Sequence, residues 1–261
     1  MRLSGIITFT SDFGLKDPFV GIVKGVILSI NPNVKIVDLT HEIPPQDILQ
    51  AAFTLRSAYS FFPPGTIHLA VVDPGVGSSR HPIVIETPNY LFVGPDNGIF
   101  SLSIGEDFSP YLIENPVFRL EKLSQTFHAR DIFAPAAAYL SLGIIPSAMG
   151  RRLADIVRIT LPVPLIDRKE RKIVGEILFF DRFGNAITNI SEQELEQLRV
   201  VRVIVGSVAI EGLSSSYAEK PPLTPLAIIG SSGFLEISVN LGSARSSLKL
   251  KRGDKVEVTF D

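Results

Sequence analysis

The chain has no cysteine, which excludes disulfides, a thiol nucleophile and a thiolate metal site. No apolar run reaches the roughly 18 residues needed to span a bilayer. A strand-like segment begins at Ile6, leaving no room before it for a secretory leader. Lys and Arg are not clustered and the net charge is −2, so the electrostatic footprint of a nucleic-acid binder is missing. The expectation is a cytoplasmic protein that engages neither nucleic acid nor membrane. His41, His68, His81 and His128 show no paired ligand spacing, so no metal site is expected. A Gly-x-Ser-x-Gly elbow is also lacking, which argues against a serine hydrolase. What is present is ordinary for a globular protein: 45% hydrophobic and 20% charged residues in a chain of 261, enough for one large or two moderate cores.

Two periodicities alternate in the first half. Ile6–Thr10, Val34–Leu39 and Ile67–Val72 read as buried strands, and between them residues 19–30 and 47–59 carry apolar residues at helical spacing. Asn31-Pro32 stops the first helix and Pro63-Pro64-Gly65 follows the second. Strand–helix–strand–helix–strand implies a mostly parallel sheet flanked by helices. Ile83–Glu86, Tyr90–Val93 and Ile99–Ser103 add predicted strands, and Ile132–Leu142 a further helix with Asp131 as its N-cap. Residues 161–172 hold two prolines and six charged residues and read as a linker. Beyond it, short strand-like runs at 172–180, 200–205, 226–229, 234–239 and 255–260 are interrupted by one helix, 191–198. A capping box of Ser191 and Glu194 opens that helix. The expected organisation is an α/β catalytic domain, 1–160, and a smaller all-β, barrel-like domain, 173–261.

Several polar clusters sit where this arrangement places chemistry. Residues 71–80 read Val-Val-Asp-Pro-Gly-Val-Gly-Ser-Ser-Arg: an apolar strand delivers Asp73 to a loop closed by Arg80. The loop is not a dinucleotide fingerprint, because Arg80 occupies the third glycine slot, and it lacks the Gly-Lys-Ser/Thr ending of a P-loop. A turn pinned by an Asp73–Arg80 ion pair and a reactive sheet edge explain it equally well. Asp12, in Ser11-Asp12-Phe13-Gly14, follows the first strand and should open onto the same edge, where a carboxylate commonly takes ribose hydroxyls. It serves equally well as a turn cap. His128 precedes the predicted helix and suits proton chemistry near neutral pH, or a structural bond to nearby backbone. In the second half, Asp181-Arg182-Phe183-Gly184-Asn185 offers an amide for a purine edge and a ring to stack on it. On local grounds it is a hairpin turn with Gly184 at positive φ. The 230–236 and 240–244 loops could present backbone groups to a ligand or simply turn the chain.

Taken in order, Thr10–Gly14, Val72–Gly77 with Arg80, Gly94–Gly98, Thr126–His128 with Arg130-Asp131, and Phe183–Asn185 with Thr188-Asn189 form a series. It resembles the S-adenosyl-L-methionine (SAM) hydrolase (adenosine-forming) family, also called SAM hydroxide adenosyltransferases, related to fluorinating and chlorinating enzymes. The resemblance implies an N-terminal α/β domain, a C-terminal β-barrel domain, and a homotrimer with active sites between the N-terminal domain of one subunit and the C-terminal domain of the next. It implies hydrolysis of SAM to adenosine and L-methionine without metal or cofactor, with Asp73, Arg80 and His128 activating water. Asp12 would hold the ribose hydroxyls. Asp181 and Asn185 would hold the methionine or adenine part, with Ser231, Asn240 and Ala244 completing the pocket. In the related halogenases a small residue fills the histidine position, whereas His128 is present here. The family often has Gly after that histidine, and this chain has Ala129. A halogenase forming 5′-chloro-5′-deoxyadenosine and a non-catalytic adenosine- or SAM-binding module are the alternatives.

Overall fold

Strand β3, Ile67–Val71, shows how the first sheet is built. Leu69 and Val71 belong to one apolar cluster, with Ile7, Phe9, Val23 and Phe133. Ala70, and Val72 just beyond the strand, belong to another, with Ile43, Leu55, Ile83 and Phe92. Successive side chains point to opposite faces, so a strand buried at every position, His68 included, is covered on both. The structure is a computed structural model and describes residues 2–261; contacts divide the chain between Thr160 and Leu161.

In the first unit, β1 (Ile6–Ser11), β2 (Lys35–Thr40), β3, β4 (Pro82–Glu86), β5 (Leu91–Pro95) and β6 (Ser109–Leu112) form one sheet in the order β2-β1-β3-β5-β4-β6. The neighbours β2-β1-β3-β5 run parallel, while β4 is antiparallel to both β5 and β6. Helix α1 (Phe19–Ile30) buries Val20, Val23 and Ile27, a stripe at i, i+3 and i+7. Helix α2 (Ile48–Ala58) is capped by Asp47, whose carboxylate accepts from Gln50 N. α1 and the alanine-rich α3 (Ala134–Ser141) pack into the cluster of Leu69, and α2 into that of Ala70. Each fully buried Leu, Ile or Phe contributes about 1.5–3 kcal/mol, so the strand ends carrying Asp12 and Asp73 stand on a rigid base.

The second unit is antiparallel. β7 (Leu165–Asp167), β8 (Lys172–Phe180), β9 (Ala186–Ser191), β10 (Val200–Val205), β11 (Val208–Glu211), β12 (Pro225–Ile229), β13 (Phe234–Val239) and β14 (Lys255–Phe260) run in the order β11-β10-β14-β8-β9-β13-β12, with β7 on β8. A bond from Ser214 N to Ala227 O, 2.8 Å, nearly closes the sheet into a barrel around Ile173, Val203, Leu235 and Val258.

Four local expectations are corrected. Ile99–Ser103 is a turn, not a strand: Asn97 Oδ1 accepts from Ile99 N, and the apolar character comes from burial of Ile99 and Phe100. Asp131 is not an N-cap, because a π-helical turn, Ala129–Phe133, precedes α3 and contains it. The expected linker carries β7, and the Asp167 carboxylate turns the chain by accepting from Lys169 N and Glu170 N. The capping box of Ser191 and Glu194 is formed, but helix α4 covers only Glu192–Leu195, and Gln197 at φ 67° follows.

Candidate active site

Asp12 and Asp73, at the ends of the neighbouring parallel strands β1 and β3, open into one cavity of about 370 Å³, which Phe13, Gln46, Thr126 and His128 also line. Adjacent parallel strands deliver their carboxyl ends to the same edge, which is why sequence-distant residues meet there.

The Asp73 loop is held from three directions. Asn97 Nδ2 donates to Val72 O at 2.8 Å. Arg80 Nε donates to Asp73 Oδ1 and Oδ2 at 2.9 and 3.1 Å, and Nη2 to Oδ2 at 2.5 Å. Gly77, at φ 77°, lies so close to the neighbouring loop that a Cβ would stand 2.4 Å from Gln125 O. The Asp73 and Arg80 side chains are only 6% and 9% exposed, so removing either partner would strand a buried charge. The ion pair, one of the two sequence readings of this loop, is therefore present.

Arg80 also reaches His128: Nη2 lies 2.9 Å from Nδ1. A guanidinium only donates, so Nδ1 accepts and the ring proton is assigned to Nε2. Burial, and after it the charge of Arg80, lower the His128 pKa below its ordinary 6.5; Asp73 and Asp131 offset this in part. His128 is thus neutral at pH 7, oriented by a cation rather than by a carboxylate. Arg80 Nη1 is buried without a hydrogen-bond partner among the described residues.

Asp12 Oδ2 accepts from Gln46 N at 2.8 Å. Gln46 adopts φ 69°, a conformation side chains rarely take and that clusters at functional sites. Nothing in the sequence marked Gln46. Phe13, Phe19 and Phe127 meet edge-on with centroids 5.4–6.1 Å apart. Asp131 lies deeper, fully buried, and accepts from Ser124 N and from Arg130.

The second unit has its own cavity, of about 670 Å³, lined among others by Asp181, Phe183, Asn185, Tyr217, Ser231, Glu236 and Asn240. Gly184 takes φ 83°, as the hairpin reading requires. Asp181 holds that turn, accepting from the backbone N–H groups of Phe183 and Asn185 and from Asn185 Nδ2. Asn240 Nδ2 donates to Lys220 O. Ala244 does not line the cavity: its methyl group is buried in the apolar cluster, leaving only backbone to face a ligand. Tyr217 was not foreseen, nor was a side-chain role for Glu236 within the flagged 230–236 segment. The phenol donates to Oε2 at 3.0 Å; burial raises the Glu236 pKa and pushes Tyr217 up to about 12. An apolar-flanked Glu within a strand looks like any barrel residue, so sequence held no signal for it. Among the described residues no group of three or more His, Cys, Asp or Glu is placed to hold a metal, and no helix is long and apolar enough to cross a membrane.

A mixed α/β unit bearing an Asp–Arg–His cluster at its sheet edge, followed by a near-closed antiparallel unit, defines a two-domain class. Residues 7–150 match the SAM hydroxide adenosyltransferase N-terminal domain and residues 175–257 the C-terminal domain; the chain belongs to this family. It is 40% identical to the (R)-S-adenosyl-L-methionine hydrolase of Thermus thermophilus, over 97% of this chain and 98% of that protein. It is 28% identical to a fluorinase of Nocardia brasiliensis, over 97% and 96%. A crystal structure of a conserved protein from Thermotoga maritima superposes with TM-score 0.89 at 38% identity, covering 97% and 99% of the two chains.

Proposed function

We propose that the protein hydrolyses SAM to adenosine and L-methionine by in-line attack of water at C5′ of the ribose. The observation that carries this reading is the Asp73–Arg80–His128 chain of contacts at the wall of the cavity that also contains Asp12. The water oxygen forms a bond to C5′ as the C5′–S⁺ bond breaks, and its electron pair returns to sulfur, giving the neutral thioether of methionine. A sulfonium is already a good leaving group, so the residues need to supply alignment and proton removal. Alignment contributes about 7–11 kcal/mol and general-base help about 10²–10⁴-fold.

We assign the proton to Asp73. His128 Nδ1 is occupied by Arg80 and its other nitrogen carries hydrogen, so the imidazole serves as a donor that orients the water oxygen. Among the described residues Asp73 Oδ1 accepts only from Arg80 Nε, which leaves a lone pair for a water O–H. Asp12 Oδ1 faces the ribose hydroxyls while Oδ2 is held by Gln46. Asp181, Asn185, Ser231 and Asn240 bind the adenine or methionine end, Ala244 through its backbone. We infer a cytoplasmic homotrimer in which the second unit of a neighbouring subunit completes each site, without cofactor or resident metal; sedimentation of the native protein checks the assembly. The deciding experiment supplies SAM in ¹⁸O-water: adenosine labelled at the 5′ oxygen is expected. Unlabelled adenosine, no turnover, or a 5′-chloro product at high chloride overturns the reading.

A further inference from the structure

A second histidine network lies outside the Asp73 cluster. His41, just past β2, is only 4% exposed. Its Nδ1 lies 2.7 Å from Ser11 Oγ, and its carbonyl accepts from Gly14 N at 2.8 Å. Ser11 Oγ in turn accepts from Phe13 N at 3.4 Å. On the far side Nε2 stands 3.1 Å from Asp38 Oδ1, a close contact without hydrogen-bond alignment, and Lys24 Nζ bonds Asp38 Oδ2 at 2.5 Å. The Phe9 ring meets the imidazole edge-on, centroids 4.7 Å apart.

Serine, histidine and aspartate in series invite comparison with a nucleophilic triad, but Ser11 is fully buried and no substrate atom can reach it. The network instead grips both flanks of Asp12. With the carboxylate of Asp38 facing Nε2, the imidazole proton belongs there. Nδ1 then accepts from the Ser11 hydroxyl, and the hydroxyl lone pairs are left for Phe13 N–H. The same residue's backbone fixes Gly14, and five residues on, Gln46 bonds the Asp12 carboxylate itself. The only side chain of the 11–14 loop that carries charge is therefore framed by segment 41–46.

We propose that His41 is a positioning residue that presets the Asp12 carboxylate for the two ribose hydroxyls of the substrate, an inference that rests on the ribose role given to Asp12 above. A group acting in this way governs recognition of the vicinal diol rather than water attack, and double hydroxyl recognition is where a buried hydrogen-bonding site discriminates most.

Calorimetric binding of adenosine and of 2′-deoxyadenosine separates the outcomes. Wild-type protein is expected to prefer adenosine by at least about tenfold. His41→Phe keeps the ring volume but loses both nitrogens; it should bring that ratio close to one and raise KM for SAM far more than it lowers kcat. His41→Asn, whose amide can replace Nδ1 opposite Ser11, should restore most of the preference. Ser11→Ala removes the hydroxyl alone and should reproduce the loss, which keeps the test decisive where the phenylalanine variant folds poorly. A folded His41→Phe or Ser11→Ala protein with the wild-type ratio, or an asparagine variant without rescue, overturns the positioning role while leaving the hydrolase reading intact. Wild-type protein that binds adenosine no better than its deoxy analogue removes the ribose role of Asp12, and this inference with it.

Discussion

Gly77→Ala tests whether the Asp73–Arg80 loop and the His128 loop must lie as close as they do. The added Cβ would stand 2.4 Å from Gln125 O, backbone that cannot swing aside like a side chain. Reaching even 3.0 Å requires the loops to part by about 0.6 Å, because a carbon and a carbonyl oxygen do not approach more closely without steep repulsion. The Arg80 Nη2–His128 Nδ1 distance, 2.9 Å, would then open to about 3.5 Å, beyond a useful hydrogen bond. Misplacement on this scale costs about 10²-fold in kcat. Alanine at φ 77° adds about 1–3 kcal/mol of strain, which lowers Tm by about 2–4 °C per kcal/mol in a protein of this size. Gly75→Ala is the internal control: its Cβ would meet Ser78 Oγ at 3.3 Å and Arg80 Cγ at 3.4 Å, at an ordinary φ. Steady-state kinetics with SAM and thermal melts on both variants decide the matter. A Gly77→Ala enzyme with wild-type kcat, or two variants that lose activity equally, would refute the reasoning.

Two predictions concern pH. His128 must stay neutral to accept from Arg80, and burial followed by the Arg80 charge lowers its pKa below 6.5; kcat is therefore expected to be flat above about pH 6.5 and to fall on the acid side as Nδ1 gains a proton facing a donor. A limb centred above pH 6.5 in the rate profile, or one unchanged in His128→Gln, would contradict this. His68 is fully buried with Nδ1 on Thr8 Oγ1, and burial pushes its pKa down to about 3. The unfolded chain takes up the proton first, so this contribution is complete above about pH 6.5 and lost as pH falls towards 3, on the order of 4–5 kcal/mol in all. Urea unfolding at pH 7 and pH 4 should show a smaller acid loss in His68→Phe; equal losses would falsify the assignment.

What was legible in the sequence is what rests on short-range pattern. The buried strands β1 and β3 and helices α1 and α2 follow from apolar spacing, and the Ser191–Glu194 box from side chains three residues apart. The Asp73–Arg80 pair was visible because one loop holds both partners. His128 was flagged by type alone, since its contact with Arg80 spans 48 residues and depends on the packing of Gly77 against Gln125. Ile99–Ser103 misled because burial, not strand pairing, explains its apolar residues. Gln46 gave no signal at all, and the 230–236 segment was marked for its backbone groups, not for the Glu236 side chain. Gln46 matters through its backbone N–H and an unusual φ, and Glu236 through a phenol 19 residues away. Asp181 shows the converse, a residue picked out for ligand binding whose three accepted hydrogen bonds hold its own turn.

The charge of the cavity wall bears on the choice of nucleophile. In the proposed reaction the attacking atom must pass close to Asp73. A halide about 4 Å from that carboxylate meets roughly 4 kcal/mol of repulsion at an effective dielectric of about 20. Arg80 offsets part of this repulsion, although its Nε and Nη2 hydrogens are already directed at Asp73 and His128. Water carries no charge and, in the proposed site, would donate to the carboxylate and accept from the imidazole Nε2–H. Asp73, which would repel an anion, would thus join His128 in satisfying a water molecule on both its donor and acceptor sides. A site selecting chloride or fluoride needs small neutral donors in their place. On electrostatic grounds the presence of an anionic Asp73 beside a neutral His128 favours hydrolysis, independently of how similar the chain is to either branch of its relatives.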